Sequence, residues 1–218
     1  MNDKHFLAPL KRDGIAADFI GRIAGVPVDT DREATVARLE PMHREVVESL
    51  GFAWESVARA EQVHGGEVAV VEESGVGVIS GVDGLVTNVP GVMLGIYVAD
   101  CGAVYLFDRK QQAIGLVHSG KKGTEAEIVR VALEKMGECY GTQASDVVAV
   151  LAPCIRPPAY EVDFAKQIME TLASVGVKES YDCGICTSSD LDAYYSYRLE
   201  KGATGRMIAL LGIQEGEK

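Results

Sequence analysis

The sequence predicts an α+β fold, one domain of mixed α and β layers spanning residues 1–218. Three observations carry that expectation. Residues 83–123 hold three consecutive apolar strands, at 93–99, 103–107 and 113–117, each too short and interrupted to cross a membrane. Apolar stripes at helical spacing stand on either side of them, through Val36, Leu39, Val47 and Leu50, through Ile128, Ala132 and Met136, and through Phe164, Ile168, Leu172 and Val175. No internal repeat and no linker divides the chain, and its length is enough for a full core.

Taken in order, residues 6–10 and 15–23 read as extended segments, with Arg22 the one cation in the second. Thr30-Asp31-Arg32-Glu33 looks like a capping box opening a helix, which Pro41 should break into two. Residues 52–63 read as a strand that delivers His64, and Gly65-Gly66 as the turn of a hairpin into residues 67–71. A glycine-rich loop at 74–81 precedes the three apolar strands. Thr124 to Glu127 is a second capping box ahead of the Ile128 stripe, and 147–151 is a short buried strand running into Pro153 and Pro157-Pro158. A helix at 164–175, another at 191–200 and a closing strand at 207–211 complete the chain.

Composition limits the partners. A formal charge of −11 argues against nucleic-acid backbones and anionic membrane surfaces, while an anionic small molecule remains possible where basic groups gather. Residues 1–8 lack the pattern of a signal peptide, so a cytoplasmic location is expected, with the five cysteines as free thiols or ligands.

The soft ligands lie at the ends of two of the apolar strands. Cys101 follows the first and His118 the third, 17 residues on, which suits a strand leaving and returning to the same end of a sheet. His64 stands upstream, and both histidines neighbour small residues that let a second body approach. Two imidazoles and a thiolate suit Zn²⁺ with a fourth position open, with copper as the competing ion; the plainer alternative is three packed or hydrogen-bonded side chains. Lys121 and Lys122 follow His118 where a strand meets a helix, and there they either hold an anion such as phosphate or sit solvated on a turn. Cys183 and Cys186 form a CxxC with no second pair to close a structural zinc. Asp100 is placed to brace the loop beside Cys101 and not to join the site. HExxH, GxSxG and the HxE…PCxxC signature of zinc deaminases are missing.

Eight segments in one order, GRIAGV, EQVHG, DGLVTN, VADC, LVHSGKKG, APCIRPPAYEV, CTSSDLDAYYSYR and TGRM, resemble the YfiH-like family. Its members were long called polyphenol oxidase or laccase-domain proteins and are now generally described as purine nucleoside phosphorylases. The resemblance implies a layered α/β sandwich of mixed β-sheets flanked by helices, with the site at one end of the sheets. It implies His64, Cys101 and His118 as metal ligands, with Arg22 joining the pocket. It also implies phosphorolysis of adenosine, inosine, guanosine and methylthioadenosine, with adenosine deamination, by a monomer or homodimer. Asp83, Tyr160 and Glu161 are the candidates for a general acid. The family Trp-Arg is Lys121-Lys122 here, which keeps charge and loses a stacking surface. Arg156 stands where the family has glycine. The resemblance leaves two other activities open. Amide hydrolysis of the peptidoglycan editing type needs only metal-activated water. Copper-dependent phenol oxidation needs more imidazoles than the four histidines of this chain. A non-catalytic, zinc-stabilised binding module is the remaining alternative.

Overall fold

The computed structural model describes residues 5–12 and 14–216; residues 1–4 of the segment read for a leader lie outside them. After a 3₁₀ helix at His5–Leu10 come β1 (Ile15–Ile20), α1 (Arg32–Ser49), β2 (Val57–Ala60), β3 (Val68–Val70), β4 (Val78–Ile79), β5 (Gly84–Thr87) and β6 (Met93–Val98). β7 (Gly102–Asp108), β8 (Ala113–Ser119), α2 (Lys121–Glu125), α3 (Ile128–Tyr140), β9 (Val147–Leu151), α4 (Phe164–Ser174), β10 (Glu179–Asp182) and β11 (Met207–Ile213) follow. The strands form two mixed sheets, five strands in the order β1-β11-β6-β2-β4 and six in the order β10-β9-β7-β8-β5-β3.

The period-2 alternation of strand side chains sorts these elements into layers. In β6, Leu94, Ile96 and Val98 enter the core between the sheets, while Met93 and Tyr97 join the cluster beneath α1. In β7, Ala103, Tyr105 and Phe107 point to the shared core, while Val104 and Leu106 meet α3 and α4. Both faces of both strands are therefore buried, which explains apolar runs without a polar phase. Each buried Leu, Ile or Val side chain contributes about 1.5–3 kcal/mol relative to exposure. In β8, Ile114 and Leu116 lie in the shared core, and the same parity carries His118 to the seam between the sheets. The mixed α/β layering expected from the sequence is observed.

Several elements differ from expectation. Residues 6–10 are a 3₁₀ helix and not extended. The first capping residue is Asp31, whose carboxylate accepts from the Ala34 amide. Pro41 does not divide α1: it lies on the exposed face, where the carbonyl it leaves unpaired can take water, and Leu39, His43 and Val47 keep one buried stripe across it. The predicted hairpin around Gly65-Gly66 does not form, because β2 belongs to the five-stranded sheet and β3 to the six-stranded one. The loop carrying His64 therefore crosses between sheets. Thr124 is not a cap; its hydroxyl meets that of Ser119 at 2.8 Å inside the protein, and Glu127 in a left-handed conformation separates α2 from α3. Residues 191–200 form successive turns and no helix, fixed by Asp190, Glu200 and Asp100. Among the described residues no helix is long and apolar enough to cross a membrane.

Candidate metal centre

Three backbone departures bring the predicted ligands together. The loop after β2 places Gln62 and His64 at φ 66° and 62°, and Asp100 lies at φ 83° immediately before Cys101. Side chains rarely adopt this region, so each turn requires outside support. Gln62 receives it from β6, donating to the Tyr97 carbonyl at 2.5 Å and accepting from the Tyr97 amide at 2.9 Å. His64 receives it from Asp83, whose carboxylate accepts the amides of Val63, His64 and Gly65 at 3.2, 2.9 and 2.7 Å. Asp100 accepts from the Thr187 hydroxyl at 2.6 Å, the Ser196 hydroxyl at 3.1 Å and the Arg198 amide at 2.7 Å, which is the bracing role read from the sequence.

As a result one ligand atom each from His64, Cys101 and His118 lies within 4.8 Å of the other two. The imidazoles stand edge to face, with ring centroids 4.9 Å apart. β7 and β8 are antiparallel, with Ala103 opposite His118, so the 17-residue excursion does return to the same sheet end. His118 Nδ1 pairs with Asp83 Oδ1 at 2.8 Å, which fixes the tautomer and leaves Nε2 for the site. Gly120 makes room for the sulfur, since a Cβ there would fall 2.5 Å from Cys101 Sγ.

The charges inside this cluster are coupled. Burial pushes the Cys101 thiol up, but hydrogen bonds with His118 and His64 prevail and bring it down to about 6. Burial works against a charged His118, yet Asp83 and Cys101 hold its pKa up at about 9. Burial also raises Asp83, whose bonds to His118 and to the Gly65 and His64 amides outweigh it and keep the carboxyl below its usual range. Cys101 and His118 thus each favour the charged form of the other, and a cation bound between them would compete with the proton on His118. Two nitrogens, one sulfur and a carboxylate behind one histidine fit Zn²⁺, and such binding would release that proton.

The cluster lies in a cavity of about 750 Å³ whose lining includes Lys121, Lys122, Tyr160 and Phe164. Of the six side chains expected at the site, five line it: His64, Cys101, His118, Lys121 and Lys122. Arg22 does not. Its guanidinium donates to Glu200 at 2.6 Å and to the Tyr194 carbonyl at 3.1 Å and lies 4.3 Å from the Tyr195 ring centroid, clasping the exit of β1 to the turns before β11. Asp83, considered as a general acid, is fully buried and occupied by four hydrogen bonds, so it positions both histidines. Glu161 is paired with Arg198 at 2.8 Å, whereas Tyr160 faces the cavity. Arg206, Arg198 and Lys201, for which the sequence predicts no role, also line the cavity. The TGRM and SYR segments that contain the two arginines were the available signal.

A family model described as "Multi-copper polyphenol oxidoreductase laccase" matches residues 24–170 and 161–214. A protein named purine nucleoside phosphorylase from Deinococcus radiodurans is 33% identical over 223 aligned residues, which cover 90% of this chain and 85% of that one. The Geobacillus stearothermophilus protein of the name "Purine nucleoside phosphorylase YlmD" is 29% identical over 88% of this chain and 83% of its own length. Its crystal structure superposes with a TM-score of 0.82 at 25% identity, covering 93% of each chain. That of Bacillus licheniformis YfiH gives 0.81 at 19% identity, covering 92% of this chain and 93% of that one. Matched across both sheets and through the His64, Cys101 and His118 segments, this chain belongs to the YfiH-like, laccase-domain family.

Proposed function

We propose that this protein is a metal-dependent purine nucleoside phosphorylase that uses inorganic phosphate to convert adenosine, inosine, guanosine or methylthioadenosine to free base and a ribose 1-phosphate, and that it also deaminates adenosine. The observation that carries the reading is the convergence of His64, Cys101 and His118 on the floor of a cavity lined with cations. The names of the relatives support it. Zn²⁺ is the ion proposed, held by those three side chains, and when bound it supplies Lewis acidity and an activated water. Asp83 orients His118 through Nδ1 and holds the His64 loop. Lys121 and Lys122 hold the phosphate dianion on a protein whose overall charge is negative. An oxygen of that phosphate attacks the ribose C1′, and the glycosidic electron pair leaves with the purine, which takes up a proton. Tyr160 and Phe164 offer aromatic faces and edges to the base.

The family model's description favours a copper oxidase as second reading. The histidines weigh against it. Besides the two in the cluster the chain has His5 and His43, and His43 is sealed under α1. Multicopper oxygen reduction needs several more imidazoles than two.

Incubation of the protein with inosine or adenosine and phosphate is expected to give hypoxanthine or adenine with ribose 1-phosphate, and adenosine alone is expected to give inosine. Absence of free base at every metal loading would refute the proposal.

A further inference from the structure

The cavity above the metal centre carries more positive charge than one phosphate requires. Six of its lining side chains are cationic, Arg32, Lys121, Lys122, Arg198, Lys201 and Arg206, against one carboxylate, Asp100. Asp100 already accepts three hydrogen bonds, and Arg198 is neutralised by Glu161. Among the described residues, no carboxylate forms an ion pair with the other five.

These five approach from opposite walls. Lys121 and Lys122 follow β8 in the six-stranded sheet, whereas Lys201 and Arg206 precede β11 in the five-stranded sheet and Arg32 begins α1 on that sheet's outer side. Arg206 is half-buried, and its Nη1 donates to the carbonyls of Thr204 and Gly205 at 3.2 and 2.8 Å. Burial and then the charge of Arg32 weaken its hold on its proton, while Cys101 and Asp100 act the other way, so Arg206 lies within electrostatic range of both Arg32 and the metal centre. Two guanidinium groups that line one cavity, neither ion-paired to a carboxylate and one half-buried, leave a positive field that an anion would neutralise. Guanidinium forks suit phosphate oxygens.

A nucleoside is neutral, and the inorganic phosphate is already matched by the two lysines opposite. We infer that Arg32, Lys201 and Arg206 form a second anion subsite, through which the site also accepts, and prefers, a purine nucleoside 5′-monophosphate over the corresponding nucleoside. The 5′ carbon is a freely rotating arm on the ribose, so its ester can reach a wall that the ring does not touch. In the reaction an oxygen of inorganic phosphate bonds to C1′ and the bond from C1′ to the purine nitrogen breaks. The electron pair leaves with the base, which takes up a proton, and the second product is ribose 1,5-bisphosphate. This inference rests on the phosphorolysis reading.

The test compares inosine with inosine 5′-monophosphate on the metal-loaded protein, by calorimetric binding at low and at about 0.3 M salt and by product analysis with inorganic phosphate. The nucleotide is expected to bind about tenfold or more tightly at low salt, an advantage of about 1.4 kcal/mol or more, and to yield hypoxanthine with ribose 1,5-bisphosphate. Salt should shrink that advantage, and so should Arg206→Gln. Lys201→Ala, at an exposed turn position, should shrink it too and covers the case in which the half-buried arginine is needed for folding. Equal or weaker nucleotide binding by a protein that still cleaves inosine would overturn the second subsite and leave the phosphorolysis reading standing. Tight nucleotide binding with turnover of inosine alone would overturn the assignment of the nucleotide as substrate. Nucleotide preference without cleavage of either compound would support the subsite and sink the phosphorolysis reading.

Discussion

Asp83 holds the two histidines in one geometry, because a single buried carboxylate accepts from the His118 ring and from three successive amides of the His64 loop. Asp83→Asn keeps the size of the side chain, yet it removes the charge opposite His118 and turns an amide donor toward one of those partners. Metal affinity, measured by competition with a chelating dye, is expected to fall about 10–100-fold, with the far-ultraviolet circular dichroism unchanged. Wild-type affinity in that variant would show that Asp83 does not orient the ligands. At this scale the three members of the cluster were legible, since histidine and cysteine are scarce here and these stand beside small residues at strand ends. Asp83 was not legible as a positioning group, because one carboxylate among 32 acidic residues gives no sign of the four donors that converge on it. The surroundings of Arg22 were hidden for the same reason: its partner Glu200 lies 178 residues away, and a lone strand arginine does not reveal whether it faces a ligand or a carboxylate.

Helix α1 shows how packing overrides local preference. Its proline is tolerated on the exposed face while the buried stripe continues across it, so a rule about proline that holds for an isolated helix gives the wrong break point. The same stripe seals His43, whose two ring nitrogens have no partner, against Tyr97 at a centroid distance of 5.7 Å. Burial lowers its pKa to about 4. The unfolded chain therefore takes up the proton more readily than the folded one, and stability is lost as pH falls from the unfolded value near 6.5 toward 4. Between pH 7 and pH 4 this one ring should remove about 3 kcal/mol. In urea unfolding, His43→Leu is expected to lose less stability over that interval by about this amount. Identical pH dependence in the two proteins would contradict a neutral, buried imidazole. Long apolar strands were readable because both faces are covered. The hairpin at Gly65-Gly66 was misread because glycine pairs mark a turn without saying which sheet the chain enters next. The turns at 191–200 carry apolar and aromatic side chains, but long-range bonds to Asp100 and Arg22, invisible to periodicity, determine their shape.

Across the whole molecule the site lies at the seam where two sheets meet. β8 of one sheet supplies His118, the crossing after β2 supplies His64, and the passage from β6 to β7 supplies Cys101. His64 and Cys101 thus depend on connections between the sheets while His118 is fixed in a strand, so disturbing the sheet packing should disturb the cluster before the strands themselves. The central claim is that these three side chains bind one ion together. Metal analysis with X-ray absorption at the zinc edge tests it most directly. The expected result is one ion per chain with two nitrogen ligands at about 2.0–2.1 Å and one sulfur at about 2.3 Å, and loss of the sulfur shell in Cys101→Ser. A protein that binds no zinc, or one whose zinc spectrum contains no sulfur, would contradict it.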